Sequence, residues 1–201
     1  MTFLPGRSLT LQAIDPASSD GRIGGGAFIG GICTWPSGPS GRQLVLVASL
    51  PADFLIKFTG IDIGLGRYAS VFTTYAPEAY FLDEITYHGD PAELTLLRRG
   101  TTRVLVHDAG NLVRGEVEVP SHAILVSEED GPSRIGVAPG LLQAETLAVD
   151  DLAFALQLYG GDMPEPFRDL FYLTDGVGYL YLPSSAAAGT DQSGLFFAQV
   201  T

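Results

Sequence analysis

The sequence contains only one cysteine and one lysine. The lack of further cysteines excludes two kinds of structural site. Cys33 is the only cysteine among 201 residues, so an internal disulfide and a zinc site built on several cysteines are excluded. Without a second thiol or a base beside it, Cys33 is expected to be a small buried apolar residue. Lys57 is the only lysine, so almost all positive charge is carried by arginine.

Positive charge as a whole is scarce. The chain has 11 basic and 23 acidic side chains, which give a formal net charge of −12. Because clustered lysine and arginine bind phosphate groups, this balance argues against nucleic acid and against an anionic membrane surface as partners. Residues 1–127 carry 12 acidic and 9 basic side chains, whereas residues 128–201 carry 11 acidic and 2 basic ones. The acidic C-terminal third is either a well-solvated face or a docking surface for a basic partner.

Long apolar runs are missing as well. No segment of about 18 consecutive apolar residues occurs, so no transmembrane helix is expected. Residues 1–7 contain no basic segment followed by an apolar run, so no signal peptide is expected. We expect a cytoplasmic protein, with export by a route that needs no such signal as the alternative.

No motif of catalysis or cofactor binding stands out. The sequence has no Gly-x-Ser-x-Gly nucleophile motif. His88, His107 and His122 lack the close spacing of a metal site, and residues 128–131 lack the alternating carboxylates of a calcium loop. The glycine-rich residues 24–31 lack the lysine and the spacing of a phosphate-binding loop, so a tight turn is expected there. We expect no catalytic residue, no metal and no cofactor.

Short apolar segments separated by turn residues dominate what is present. Hydrophobic residues make up 46% of the chain, alongside 25 glycines and 13 prolines. The predicted strands cover residues 44–50, 68–75, 79–88, 94–98, 101–107, 116–119, 122–126, 152–159, 170–174, 178–182 and 195–200. Short helices are expected near residues 51–58 and 164–170. We predict the α+β class, mainly β, with few short helices.

An internal repeat is visible. Arg22-Ile23-Gly24 recurs 112 residues later as Arg134-Ile135-Gly136. Two further segments recur at an offset of 109, residues 43–50 as 152–159 and residues 71–73 as 180–182. Three matches in the same order predict an ancient duplication. We predict one domain of 201 residues, made of two similar β-meander subdomains over residues 1–127 and 128–201 that share one core.

The second half carries a family pattern. An apolar strand contains Gln157, the run Asp175-Gly176-Val177-Gly178-Tyr179 is typical of a hairpin, and the last strand contains Gln199. In the first half, Trp35-Pro36 precedes the apolar strand. These motifs resemble the YwqG-like family, a bacterial domain family of unknown function. The resemblance implies the duplicated layout and, because members are often described near toxin and secretion genes, an immunity-like or partner-binding role. It brings no enzymatic activity to this chain.

The leading hypothesis is a non-enzymatic protein-binding module that docks a basic protein partner through its acidic C-terminal face. Long-range attraction would then set the association rate. The residues expected to bind the partner are Glu128, Glu129, Asp130, Asp150, Asp151, Asp162 and Glu165.

The alternative is an enzyme or small-ligand binder with a pocket at the seam between the two subdomains. His107, Gln143, Gln157 and Asp175 are the residues expected to line it. A deep pocket lined by these groups would favour this alternative, whereas a flat acidic face would favour docking. A third hypothesis is an assembly component that associates with itself through an apolar sheet edge.

Overall fold

Antiparallel strands account for most of the regular structure. The computed structural model describes residues 7–30, 34–136, 138–143, 147, 149, 151–184 and 193–201, so Cys33 and Asp150 lie outside the described residues. Over these ranges the strands are β1 (Arg7–Ala13), β2 (Arg22–Ile23), β3 (Ala27–Gly30), β4 (Val45–Pro51), β5 (Arg67–Thr73), β6 (Thr102–Ala109), β7 (Asn111–Val113), β8 (His122–Ser127), β9 (Arg134–Ile135), β10 (Leu152–Tyr159), β11 (Val177–Pro183) and β12 (Leu195–Gln199). The helices are α1 (Ala52–Thr59), α2 (Leu82–Ile85) and α3 (Pro91–Leu96). The predicted α+β class, mainly β, is confirmed.

All the strands belong to one sheet, in the order β12-β11-β10-β9-β1-β8-β2-β4-β5-β6-β3-β7. The pair β1–β8 lies inside the sheet, with four strands on one side and six on the other, and Leu9 lies opposite Val126 and Leu11 opposite Ile124. β1 then pairs with β9, and β8 pairs with β2. The first strand of the chain therefore neighbours the C-terminal strands, and β8 neighbours the N-terminal ones.

Hydrogen bonding on the two sides of this central pair follows one pattern. The N–H of Ile124 donates to the carbonyl of Gly21 at 2.9 Å, and the N–H of Leu9 donates to the carbonyl of Ser133 at 2.9 Å. The register of β4 with β5 shifts between residues 46 and 48, and that of β10 with β11 shifts between residues 154 and 156. The two sides thus share an arrangement of four strands and a register shift in the same strand pair, and β3 and β7 extend the N-terminal side beyond this likeness. The duplication that would account for this likeness stays a prediction, as does the division at residue 128.

The main apolar core takes side chains from the strands on both sides of the β1–β8 pair. Ile23 and Val71 from the N-terminal strands belong to the same buried cluster as Leu156 and Phe196 from the C-terminal ones. β6 and β12, which are not neighbours in the sheet, meet where the hydroxyl of Thr102 donates to the carbonyl of Phe196 at 2.7 Å. The largest buried cluster therefore includes strands from both parts of the chain, and two smaller buried clusters are separate from it.

Two of the predicted strands are helical instead. Residues 79–88 contain α2, and residues 94–98 belong to α3 and the helical turn Leu97–Thr101 that follows it. The carboxylate of Asp90 accepts the N–H of Ala92 at 2.8 Å, and a proline takes the first helical position. This cap stabilises a helix start whose apolar residues, taken alone, suit either structure. The predicted strands 94–98 and 101–107 would have met in a hairpin at Arg99-Gly100, and this prediction is wrong because Leu97–Thr101 is helical.

Two more predicted strands are turns. In residues 116–119 the chain forms a bend in which Arg114 and Glu118 pair at 2.9 Å. Residues 170–174 form turns, although Leu170 and the residue after it are fully buried. The predicted hairpin at Asp175-Gly176 is therefore wrong, because only one strand, β11, adjoins it. In a segment of four or five residues, apolar residues or an apolar–polar alternation indicate which side chains are buried. A packed turn buries side chains as a strand does, so such a short pattern does not distinguish the two.

Gly136, which follows β9, lies close against the end of α1. Its φ is +78°, and a Cβ there would lie 2.1 Å from the carbonyl oxygen of Phe58 at the end of α1. Gly136→Ala is expected to lower the free energy of unfolding by about 3 kcal/mol or more, since backbone must move as well as adopt a strained φ. Urea unfolding followed by the fluorescence of Trp35 measures the loss.

Gly41→Ala is the matched control for that substitution. Gly41 has a φ of +81° but no atom within 4 Å of the added Cβ, so only the backbone strain of about 1 kcal/mol is expected. Equal losses for the two variants would contradict the close contact between Gly136 and α1.

Candidate functional site

The turn after β8 carries three consecutive carboxylates, Glu128, Glu129 and Asp130, all exposed. This segment crosses β1 to reach β9 on the other side. The N–H of Ser8 in β1 donates to the carbonyl of Glu129 at 2.8 Å, which holds the crossing against β1. The backbone is therefore fixed while the three side chains face solvent.

Ser133 joins a fourth carboxylate to this turn. Its hydroxyl donates to Oδ2 of Asp162 at 2.6 Å and accepts the N–H of Tyr159 at 2.9 Å. Asp162 is exposed and follows the end of β10, and Glu165 lies three residues farther along the chain, also exposed. We call Glu128, Glu129, Asp130, Asp162 and Glu165 the acidic surface.

Cations neutralise this surface only in part. Arg7 pairs with Glu128 at 3.4 Å, and Arg168 pairs with Glu165 at 3.2 Å. Both carboxylates are largely exposed, with side-chain exposures of 73% and 69%, so each pair contributes little stability. Within the described residues, the other three carboxylates of the acidic surface make no ion pair. The surface therefore keeps a net negative charge, although Arg134 also donates to the carbonyl of Gly131 in the same turn.

Asp151 lies apart from the acidic surface. It immediately precedes β10, whereas Asp162 follows the same strand. The eight residues of β10 span about 26 Å at the usual rise per residue. The structure thus brings five of the predicted docking residues into one region and separates Asp151 from them. Asp150 is outside the described residues.

The four residues predicted to line a seam pocket make internal hydrogen bonds. Gln157 accepts the N–H of Gly140 at 2.8 Å and donates to the carbonyl of Pro132 at 2.7 Å. The side-chain amide of Gln143 donates to the carbonyl of Val200, and Asp175 accepts the hydroxyl of Thr201 at 2.9 Å. Gln143 and Asp175 therefore bond to two neighbouring residues, Val200 and Thr201, and not to each other.

His107 is the fourth of these residues and sits in β6, buried beside Ser70 of β5. Its Nδ1 lies 2.9 Å from the carbonyl of Asp108, and its Nε2 lies 2.8 Å from the Ser70 hydroxyl. A carbonyl can only accept, so Nδ1 carries the proton and Nε2 accepts from the hydroxyl. This geometry resembles a nucleophile and its base. Ser70 is fully buried, however, so no substrate reaches its oxygen in this structure.

A cleft opens between α1 and β8, with a volume of about 490 Å³. It is lined by the loop of residues 19–21, by α1 with Pro51 before it, and by residues 123–126 of β8. None of the four predicted seam residues lines it, nor do they line the smaller cleft of about 130 Å³ described beside Tyr80. We call the larger one the α1–β8 cleft, and sequence reasoning missed it.

Arg22 holds the loop that forms one wall of this cleft. Its side chain is fully buried, and it donates to the carbonyls of Ser18, Gly24 and Gly26. Its guanidinium also lies 4.7 Å from the centre of the Phe28 ring. A buried guanidinium satisfied by carbonyls fixes both arms of the loop around it. In the sequence, Arg22 is notable only as part of the internal repeat, and the repeat does not indicate a cleft.

Other kinds of site were searched for in the described part of the chain. No group of three or more His, Cys, Asp or Glu side chains there is placed to hold a metal ion. Among the helices described, none has the length and apolar character needed to cross a membrane. The acidic surface and the α1–β8 cleft are therefore the two features that carry the functional argument.

Comparison with known proteins adds no relative: no family model matches the chain, and no curated protein matches it. The YwqG-like resemblance stays a hypothesis based on the motifs given above.

The buried His107 predicts a pH dependence of stability. Burial lowers the pKa of His107 from its usual 6.5, against a smaller opposing effect of its hydrogen bond to Asp108. The unfolded chain therefore takes up this proton first as the pH falls. The contribution of His107 is complete above pH 6.5 and is lost as the pH falls toward the lower pKa of the folded state. Urea unfolding at several pH values between about 5 and 8 measures it.

His107→Gln is expected to flatten this dependence, because the amide does not take up a proton. His122→Gln, at a partly exposed histidine, is the matched control and is expected to keep it. A wild-type slope that survives His107→Gln would show that other groups cause it.

Proposed function

We propose that this chain is a non-enzymatic protein-binding module that docks a basic protein partner through the acidic surface. The observation that carries the proposal is the contact of Ser133 with Asp162, at 2.6 Å. It brings an exposed carboxylate from beyond β10 to the turn after β8, which carries three more. Carboxylates from separate parts of the chain thus form one surface.

The shape and the charge of this surface support docking over catalysis. Its side chains are exposed, and the two cations paired with it leave three carboxylates free of ion pairs among the described residues. An exposed surface of one charge accelerates the association of an oppositely charged protein and opposes other partners. Such a surface offers no enclosed volume in which a reaction could be shielded from water.

The backbone beneath the surface is firmly held. Ser8 fixes the crossing segment at Glu129, and Ser133 is bonded to both Tyr159 and Asp162. A rigid arrangement of charges loses little conformational freedom on binding. An immunity-like role, in which the bound chain occludes a basic partner in the cytoplasm, is the form of the proposal that the family resemblance favours.

Reversing charge on the acidic surface tests the proposal. We expect the triple variant Glu128→Lys, Glu129→Lys, Asp130→Lys to lose capture of basic proteins from a native lysate at low salt. For a captured partner, the association rate is expected to fall by about tenfold or more, and its dependence on salt to flatten. Affinity capture with elution in rising salt, followed by stopped-flow association, measures both effects.

A second triple variant controls for net charge. Asp62→Lys, Glu78→Lys and Glu116→Lys alter the same number of exposed carboxylates elsewhere, and so change the net charge equally. Basic proteins retained by the wild type and by this control, but lost from the first variant, would support the proposal. Identical capture by all three proteins would overturn it.

A further inference from the structure

β8 has a backbone edge that is only partly used. β2 pairs with His122 and Ala123 alone, and the next bond on that side joins the N–H of Ile124 to Gly21. No described strand pairs with Val126 on the side of β2. The chain turns away before residue 21, at the loop that forms one wall of the α1–β8 cleft.

The backbone of Val126 faces this cleft. In an antiparallel strand, residues two apart direct their N–H and C=O groups to the same side, so Val126 points as Ile124 does, toward β2. Leu9, opposite Val126 in β1, donates its N–H to Ser133 instead. Leu9 and Val126 therefore form a non-hydrogen-bonded pair, so the N–H and C=O groups of Val126 point away from β1.

The wall of the cleft beside this edge is apolar. Phe54 and Phe58 of α1 lie with ring centres 4.9 Å apart, and with Val126 they pack at the margin of the main core that contains Ile124. Gly21 fits closely here, because a Cβ on it would lie 2.6 Å from the Phe54 ring. An apolar side chain entering beside Val126 would meet these two rings.

Charge at the cleft is divided along α1. Asp20 and Asp53, both exposed, lie where α1 begins, whereas Lys57 lies near its end with its amine 4.7 Å from the Phe58 ring. Burial raises the pKa of Tyr68, Arg22 lowers it, and Asp53 and Asp20 raise it by less, so both carboxylates act on the same ring. The beginning of α1 is thus the acidic end of the cleft.

We infer that the α1–β8 cleft binds an extended segment of the basic partner, which pairs with the backbone of Val126. An apolar side chain of that segment packs on Phe54 and Phe58, and an arginine or lysine beside it reaches Asp20 and Asp53. A volume of about 490 Å³ is in the range that holds a ligand of a few residues. This inference rests on the proposed function for the basic character of the partner, and it adds the segment that is held.

A blocked synthetic peptide, Ac-Arg-Val-Arg-Val-Arg-amide, is the probe. Residues directly opposite across two strands share a face, so a valine opposite Val126 directs its side chain to α1. The valine N–H groups would then face β8, and the arginine N–H groups would face solvent. This assignment is for a peptide that runs antiparallel to β8, as β2 does beside it, because directly opposite residues exchange hydrogen bonds only in antiparallel pairs.

Methylation of the peptide backbone separates strand pairing from charge attraction. We expect N-methylation of both valines to weaken binding at least tenfold, and N-methylation of the arginines to leave it within about twofold. Fluorescence anisotropy of labelled peptides measures binding, and slower amide exchange at Val126 in the complex locates it. The corresponding glutamate-valine peptide is expected not to bind.

Protein variants test the acidic end of the cleft. Asp20→Asn with Asp53→Asn is expected to weaken the probe about five- to tenfold, and Glu78→Gln with Glu116→Gln is the matched exposed control. No binding of the probe to the wild type, equal binding of the two methylated peptides, or an unchanged affinity in the Asp20 and Asp53 variant would each overturn the inference.

The two proposals fail separately. If the triple reversal at Glu128, Glu129 and Asp130 abolishes partner capture while the methylated peptides bind alike, docking stands and the cleft inference falls. If the probe binds the cleft as expected while capture by that variant is unchanged, the cleft inference stands and docking through the acidic surface falls.

Discussion

Pairing of β1 with β8 is the constraint on which the rest of the structure depends. The two strands pair from Ser8 opposite Ser127 to Ala13 opposite His122, and each then takes a short strand from the other part of the chain as its next neighbour. To pass from β8 to β9, the chain must therefore cross β1. The crossing lies against Ser8, where a Cβ on Gly131 would be 2.7 Å from the serine Cβ. The exposed carboxylates of the crossing are a consequence of this topology.

Strands buried on both faces were predictable, because a continuous apolar run has few other uses in a protein of this composition. β4, β10, β11 and β12 lie where such runs predict them, and α1 begins after the predicted Pro51. β1 was missed, since its residues past Leu9 are mostly exposed and its stability comes from its partners. α3 was mistaken for a strand because its start depends on the Asp90 cap, a local bond that outweighs the β tendency of the residues after it.

Exposure of the acidic residues was predictable from their type, but their grouping was not. Ser133 holds Asp162 beside the segment that follows β8, and Asp151 is separated from Asp162 by the length of β10. The first fact depends on contacts between segments far apart in sequence, which local patterns do not carry, whereas the second follows from the predicted strand 152–159. The polar residues assigned to a seam pocket failed to meet for a related reason. Buried side chains such as Gln157 and His107 satisfy their own hydrogen bonds with nearby groups.

The same charges that suit a basic segment also oppose self-association at the open edge of β8. An unpaired strand edge attracts any extended chain, and proteins commonly protect such edges with charge. Asp20 and Asp53 flank this edge, and a second copy of the chain would bring its own net charge of −12. Like charges would then meet across a short edge. An arginine-bearing segment would meet no such penalty, so under the proposed function the edge would select by charge between the chain itself and a basic partner.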